Sequence, residues 1–445
     1  MLLGSLPWGA PPSKCRGAEP TSEAKEATDF LAADFLETEP VDCVWESPAT
    51  KGPQVFAIDP GVTVRLRGRI DTDAIWSTQS PANEATFGEL GDVVGLRRAR
   101  IGVEGELGID RRYIAEIDLA SGEVVPRDVY FAWGDVQDFG ESQLGHMREP
   151  FSLEGQTSAR YFAFMERSPI NVLDPARNWG LGLFQESLDE DSTLGMGLFY
   201  AGTGSADLQG GEGSAVDFTG RLTTAPINAG KGEQLLLFGL ALTERVPVDG
   251  VILINQQPRS PLLELGDSST SPFVPVIRIP ASFQQLLNLQ VAAARGPLWS
   301  QAEWYGSWID QTEAGTVFFH GCHADCGYFL TGEHREYDSA NGTLGAVKVN
   351  RPWLRGPGDC NRRQGWGAWE LTARFTYLDF FDADTPPGPS GQEIGIRLPQ
   401  STFGVNWYLS DRVRLMFNYS YAVPEEMNSG TSSANILASR LGVFW

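Results

Sequence analysis

The chain has 445 residues, of which 34 are basic and 57 acidic, giving a formal charge of −23 that repels a phosphate backbone and excludes nucleic acid as a partner. No apolar run approaches the ~18 residues a spanning helix needs: the longest, 235–242, has eight residues and contains Gly239. A helical membrane protein is thereby excluded, but strands of ~9–11 residues that alternate apolar-out and polar-in are not, and the 50 glycines suit a turn-rich all-β chain.

Residues 1–54 carry 4 basic and 9 acidic side chains, with a short helix possible at 22–36. They read as an acidic N-terminal leader or periplasmic arm. Residues 1–20 lack the basic start and apolar stretch of an export signal. For an exported protein this implies a truncated or mis-chosen start. Cys15 follows Pro12 and Ser13 rather than an apolar box, so a lipoprotein anchor there is disfavoured.

From about Gln54 the pattern changes to strict alternation, the mark of half-buried strands. Val64, Leu66 and Ile70 alternate with Arg65, Arg67 and Arg69. Ala99, Ile101, Val103 and Leu107 alternate with Arg98, Arg100, Glu104 and Glu106. Tyr113, Ala115, Ile117 and Leu119 alternate with Glu116 and Asp118. Strands are expected near 61–75, 97–108, 112–120, 127–134, 141–148 and 179–186. If the N-terminus is periplasmic, 149–178 is the third external loop, far longer than the turns 109–111 and 135–140 on the other side. Between 230 and 400 the count fails, because loops near 247–281 and 332–366 could hide strands. Further on, Phe403, Val405, Trp407 and Leu409 alternate with Asn406 and Ser410, and Val413, Leu415, Phe417 and Tyr419 with Arg412, Arg414 and Asn418. The last strand carries Leu437, Leu441, Val443 and Trp445 on one side. Aromatics at strand ends on the apolar face (Trp76, Trp133, Trp407, Tyr419, Trp445) fit interfacial girdles. The expectation is an all-β, transmembrane antiparallel β-barrel of sixteen strands over residues 55–445. A secreted β-sandwich or glycan-binding protein also alternates and is the rival class.

Five stretches carry a family likeness: LRRARIGVEGELG (96–108), HMREPFSLEGQTSARYFAFMERS (146–168), GYFLTGEHREYD (327–338), GWGAWELTARFTYLD (365–379) and NWYLSDRVRLMFNYSYA (406–422). In this order they resemble the phosphate-selective porin O and P family. The resemblance implies a trimeric barrel in the bacterial outer membrane, with its third external loop folded into a water-filled pore. It further implies passive diffusion of small anionic solutes, phosphate or similar anions among them. A lysine cluster would be expected at a phosphate-selective constriction, yet of five lysines only Lys231 and Lys348 fall within the barrel region.

Apolar partners facing lipid would turn Arg65, Arg67 and Arg69 into the lumen, since a lipid-facing Arg costs ~2–4 kcal/mol at the midplane. Closure would bring Arg98 and Arg100, Arg412 and Arg414, and Arg440 beside them, making one arginine-rich wall. Guanidinium groups stay charged and offer forked donors to carboxylate and phosphate oxygens. Pairing with luminal Glu104, Glu106 or acidic loop residues would make the same arginines braces. The third loop holds Arg148, Arg160, Arg167 and Arg177 beside Glu149, Glu154 and Glu166, the mixture that sets a transverse field at a constriction. His320, Cys322, His323 and Cys326 suggest a metal cluster, but strand periodicity puts the cysteines on one face and His323 on the other, so none is expected. Cys43 and Cys360 have no readable partner, and an odd total of five cysteines gives no disulfide framework. With four histidines and no Gly-x-Ser-x-Gly elbow, neither catalysis nor a cofactor is expected.

Overall fold

A computed structural model describes residues 55–59, 61–134, 140–202, 212–254, 272–355, 363–386 and 395–445. The acidic arm, its expected helix, Cys15, Cys43 and Cys360 lie outside the described residues. Sixteen antiparallel strands form one closed barrel. In chain order they are β1 (Val62–Gln79), β2 (Val93–Glu106), β3 (Arg111–Asp118), β4 (Val125–Trp133), β5 (Glu141–Arg148), β6 (Arg177–Glu186), β7 (Ser192–Ala201) and β8 (Ala215–Ala229). There follow β9 (Gln234–Pro247), β10 (Ile277–Arg295), β11 (Leu298–Gln311), β12 (Thr316–Phe329), β13 (Ala368–Asp379), β14 (Ile396–Ser410), β15 (Val413–Ala422) and β16 (Ala434–Phe444).

Closure is the pairing of β1 with β16, from Arg69 opposite Phe444 to Gln79 opposite Ala434. Gly68 and Trp445 exchange two backbone hydrogen bonds of 3.1 Å. A Cβ at position 68 would sit 2.2 Å from Cζ2 of the Trp445 indole, so any larger residue there would force the indole to move. Beyond the C-terminus the backbone of Val55–Asp59 pairs with the start of β1, on the edge that β2 does not occupy. The seam is thus completed by both ends of the barrel-forming chain.

The barrel is inside-out relative to a soluble protein. Leu66, Ile70, Ile101, Leu181, Leu198, Phe238, Phe375, Phe403 and Leu441 are exposed on the outer wall, whereas Arg97, Arg98, Arg414 and Arg440 are each 1% exposed. Alternation explains this directly: each luminal Arg or Asp leaves its chain neighbours pointing to lipid.

Short connections lie at one end, such as 187–191, 296–297 and 411–412. One connection at that end is long. Residues 330–367 contain a hairpin, Arg335–Asp338 with Thr343–Val347, that lies inside the barrel rather than in its wall. Arg221 on β8 donates to the carbonyls of Asn341 and Gly342 at 2.6 and 2.9 Å, and Leu344, Val347 and Val349 pack with Leu153 and Phe164. In the other suspected region, Val251–Ile254 adds a short strand to β10.

The third external loop, 149–176, enters the bore and docks on the β10–β16 side. Its grip is largely through main chain. Glu303 accepts from the N–H groups of Leu153 and Glu154 at 3.0 and 2.6 Å. Gln290 donates to Phe151 O (2.7 Å), Asn406 to Ala163 O (2.7 Å) and Arg414 to Phe162 O (2.7 Å). Arg374 donates to Glu166 O (3.0 Å) and pairs with Asp325 at 2.8 Å and with Glu154.

Deleting Leu441–Trp445 strips partners from both β1 and β15, leaving open edges that hydrocarbon cannot satisfy. Loss of outer-membrane insertion, read as loss of the heat-modifiable gel band, is the expected result; a normal band would refute the role of this strand. Arg374→Ala leaves the Asp325 and Glu154 carboxylates buried without their guanidinium, a loss of about 3 kcal/mol for a buried pair. The temperature at which the folded band converts on unboiled gels should fall, and an unchanged temperature would show that the loop is held elsewhere.

Candidate pore constriction

Because the third loop docks on β10–β16, space remains between it and β1–β6. That space is a cavity of about 310 Å³, with Ala340 and Asn341 of the inserted hairpin among its lining residues. Eight guanidinium groups line it: Arg67, Arg69, Arg100, Arg112, Arg148, Arg160, Arg167 and Arg177. Three carboxylates do, Glu116, Asp128 and Glu141.

Most of these arginines have carboxylate partners. Arg67 meets Glu104 at 2.8 Å and Glu116 at 3.0 Å. Arg69 meets Asp71 at 2.7 Å, Arg100 meets Asp118 at 2.8 Å, Arg148 meets Asp174 at 3.2 Å and Arg177 meets Asp128 at 2.9 Å. Arg112 is clasped by Glu141. Arg160 and Arg167 differ: neither pairs with a carboxylate among the described residues. Arg167 donates only to the main-chain carbonyls of Glu154 and Gly155, both at 3.3 Å, and stacks on Phe162 at 4.6 Å. Arg160 keeps a buried Nη2 without an acceptor. Burial, and then the neighbouring Arg148, push the Arg167 guanidinium down to about 9; burial, and then Arg67, push Arg160 down as well. Both remain cations at neutral pH.

The sequence expectation of an arginine wall therefore divides. Arg67, Arg69 and Arg100 line the cavity, facing Arg148, Arg160, Arg167 and Arg177 across it. Arg65 pairs with Glu104 outside it, and its side chain is 46% exposed. Arg412 lies in the exposed turn before β15, not on the wall, because β15 begins at Val413. Arg98, Arg414 and Arg440 are on the wall but serve as braces. Arg440 grips Asp73 at 2.6 Å, Arg98 meets Asp71 at 3.1 Å, and Arg414 holds loop carbonyls. Glu166 is the loop residue that joins them, bonded to Arg97 at 2.7 Å and to Arg440 at 2.5 Å. Against the burial that would raise it, Arg97, Arg98 and Arg440 hold the Glu166 carboxyl well below the usual range.

Arg97 was not anticipated, since strict alternation sends it to lipid. A β-bulge turns it inward: Asp71 pairs with Arg98, but the next residue, Thr72, pairs with Leu96, so Arg97 is the extra residue. Arg112 was legible as a luminal position two residues before Ile114, but lay at the end of an expected strand. On β12, Cys322 and Cys326 are free thiols on the outer side, while His323 is buried between Glu303 and Asp325 at 3.3 and 3.2 Å.

Sequence comparison places this geometry. A model of the phosphate-selective porin O and P family matches residues 64–260 and 270–443. Porin O of Pseudomonas aeruginosa is 24% identical over 415 residues, covering 88% of this chain and 90% of that one. An uncharacterized protein of Caulobacter vibrioides is 24% identical over 429 residues, covering 92% and 78%. Among solved structures, an anion-selective porin from Comamonas acidovorans superposes with a TM-score of 0.51 at 12% identity, over 86% of this chain and all of that one. The outer membrane channel DcaP of Acinetobacter baumannii gives 0.51 at 10% identity, over 88% and 99%. At these identities the structures speak for the fold, and the family match for the rest: the chain belongs to the phosphate-selective porin O and P family, and is an outer-membrane β-barrel channel.

Proposed function

We propose that the chain is a passive diffusion channel for small anions and that the arginine-lined cavity is where charge is selected. The observation that carries this reading is the imbalance there, eight guanidiniums against three carboxylates, with Arg160 and Arg167 left without a carboxylate. Net charge argues the other way, at −23. External charges, however, are screened within ~8 Å at physiological ionic strength, while low-dielectric walls focus the field of charges inside a narrow bore. Ion preference follows the cavity. The family description and the anion-selective porin of Comamonas acidovorans agree with an anionic permeant. Lys231 and Lys348 do not line the cavity, and arginine forks accept carboxylate and phosphate alike, so the channel discriminates weakly between these anions. The reading is of a channel with no reaction of its own. Residues 55–445 form the channel unit, with 1–54 a leader or periplasmic arm.

In planar bilayers the wild type should show an anion-selective reversal potential, with no micromolar block of chloride current by phosphate. Replacing Arg67, Arg160 and Arg167 together by Gln should keep a heat-modifiable barrel and lower the anion-to-cation permeability ratio by at least about 3-fold, as expected for losing three charges in a weakly screened site. Arg65→Gln should leave the ratio unchanged. An unaltered ratio in the triple variant would make these arginines braces and overturn the reading.

The same porin membership supports a homotrimer. β3, β4 and β5 are the low side of the barrel, at 8, 9 and 8 residues, and their outer face is an apolar hollow lined by Ala115, Val129, Phe131, Leu144 and Trp179. A second copy would fill it. Light scattering of the detergent-solubilised protein should give three chain masses, and a single chain mass would reject the trimer.

A further inference from the structure

In the long connection after β12, the described residues 330–355 cross the short-turn rim in both directions. The hairpin goes into the bore, and of the residues described after it, 351–354 lie over the rim on the outer wall. There the N–H groups of Trp353 and Leu354 both donate to Leu409 O at 2.9 Å, and Gly367 donates to Arg351 O at 3.0 Å. Trp353 packs against Trp407 with ring centroids 5.3 Å apart, and Trp407 stacks on Trp369 at 5.0 Å. The indole N–H groups of Trp369 and Trp407 converge on Trp366 O, at 3.2 and 2.6 Å. Trp366 itself is 78% exposed, and Trp353 and Leu354 are 42% and 41% exposed.

We propose that this overhang is a binding site for anionic phospholipid headgroups of the periplasmic leaflet. Two observations select that occupant. The first is continuity: Trp369 and Trp407 share their strand faces with Leu371 and Phe403, both exposed on the lipid-facing wall, so the tryptophan cluster extends that wall to the water boundary. Indole rings favour that depth, with one end apolar and the other wet. The second is charge. Arg351 and Arg363 are exposed in the overhang, with Arg412 exposed in the adjacent turn, in a chain whose net charge is −23. Basic side chains beside an aromatic belt match a phosphate at the hydrocarbon edge. The short-turn end is the periplasmic end of an outer-membrane barrel, so the site belongs to the inner leaflet. The proposal rests on the membrane placement and is independent of ion preference.

The test is lipid retention by native mass spectrometry of the full chain, released from micelles doped equally with phosphatidylglycerol and phosphatidylcholine. The wild type should retain phosphatidylglycerol in preference, by at least about 3-fold for a cluster of three basic side chains. Replacing Arg351, Arg363 and Arg412 by Gln should remove that preference while leaving heat-modifiability and conductance intact. Trp353→Ala with Trp366→Ala should reduce retention of both lipids; should that variant not fold, the arginine variant decides alone. Equal phosphatidylglycerol retention by the wild type and the arginine variant overturns the proposal. So does an arginine variant that keeps the lipid preference but loses binding to isolated peptidoglycan, which would assign the patch to a cell-wall polymer.

Discussion

Everything in this protein follows from one requirement: within hydrocarbon, backbone N–H and C=O groups have no partner but each other. A sheet meets it only by closing, and closing brings the two ends of the barrel chain together. Asp73 of β1 then stands opposite Arg440 of β16, although 367 positions separate them in sequence. The arginines of β1, β2, β15 and β16 become one wall because the seam lies among them. Alternation makes that wall luminal.

A lumen so rich in guanidinium must be neutralised locally, and the barrel does this in layers. Asp71 and Asp73 come from the same strand as Arg69; Glu104, Glu116 and Asp118 come from the next two strands, β2 and β3. Glu166 arrives on the third loop and satisfies Arg97 and Arg440 together. Burying such ions is expensive, and pairing them with good geometry is what makes the interior stable at all. Compensation stops at Arg160 and Arg167. They sit on the free side of the loop and line the cavity between it and β1–β6.

Much of this was legible in the sequence. The first six strands fall within a few residues of where alternation puts them, and the long stretch after His146 is the loop that fills the bore. Legibility failed where one pattern served two structures. The inserted hairpin at 335–347 buries side chains as a wall strand does, and Val251–Ile254 reads as a strand without being one of the sixteen. Arg97 is hidden by a bulge, which shifts the period without leaving a mark in the residue types. Arg412 was assigned to the wall by counting every second residue past the point where the strand begins. Asp71 and Asp73 were readable, since they continue the face of Arg67 and Arg69, but apolar alternation draws attention away from the acids that complete an ionic face. No sequence period says which arginines will be left unpaired, because that depends on where a loop docks.

The manner of that docking has its own consequence. The wall grips the third loop chiefly by its peptide groups, through Glu303, Gln290, Asn406 and Arg414, and peptide groups are common to every residue but proline at the donor positions. Apart from the side chains that bond the wall, Glu154 and Glu166 foremost, such a mount does not depend on which side chains the loop carries. Substitutions on the loop's free side can therefore alter the charge and width of the passage without dislodging it. The loop is an insert in a socket whose hold lies mostly in groups that a change of side chain does not remove.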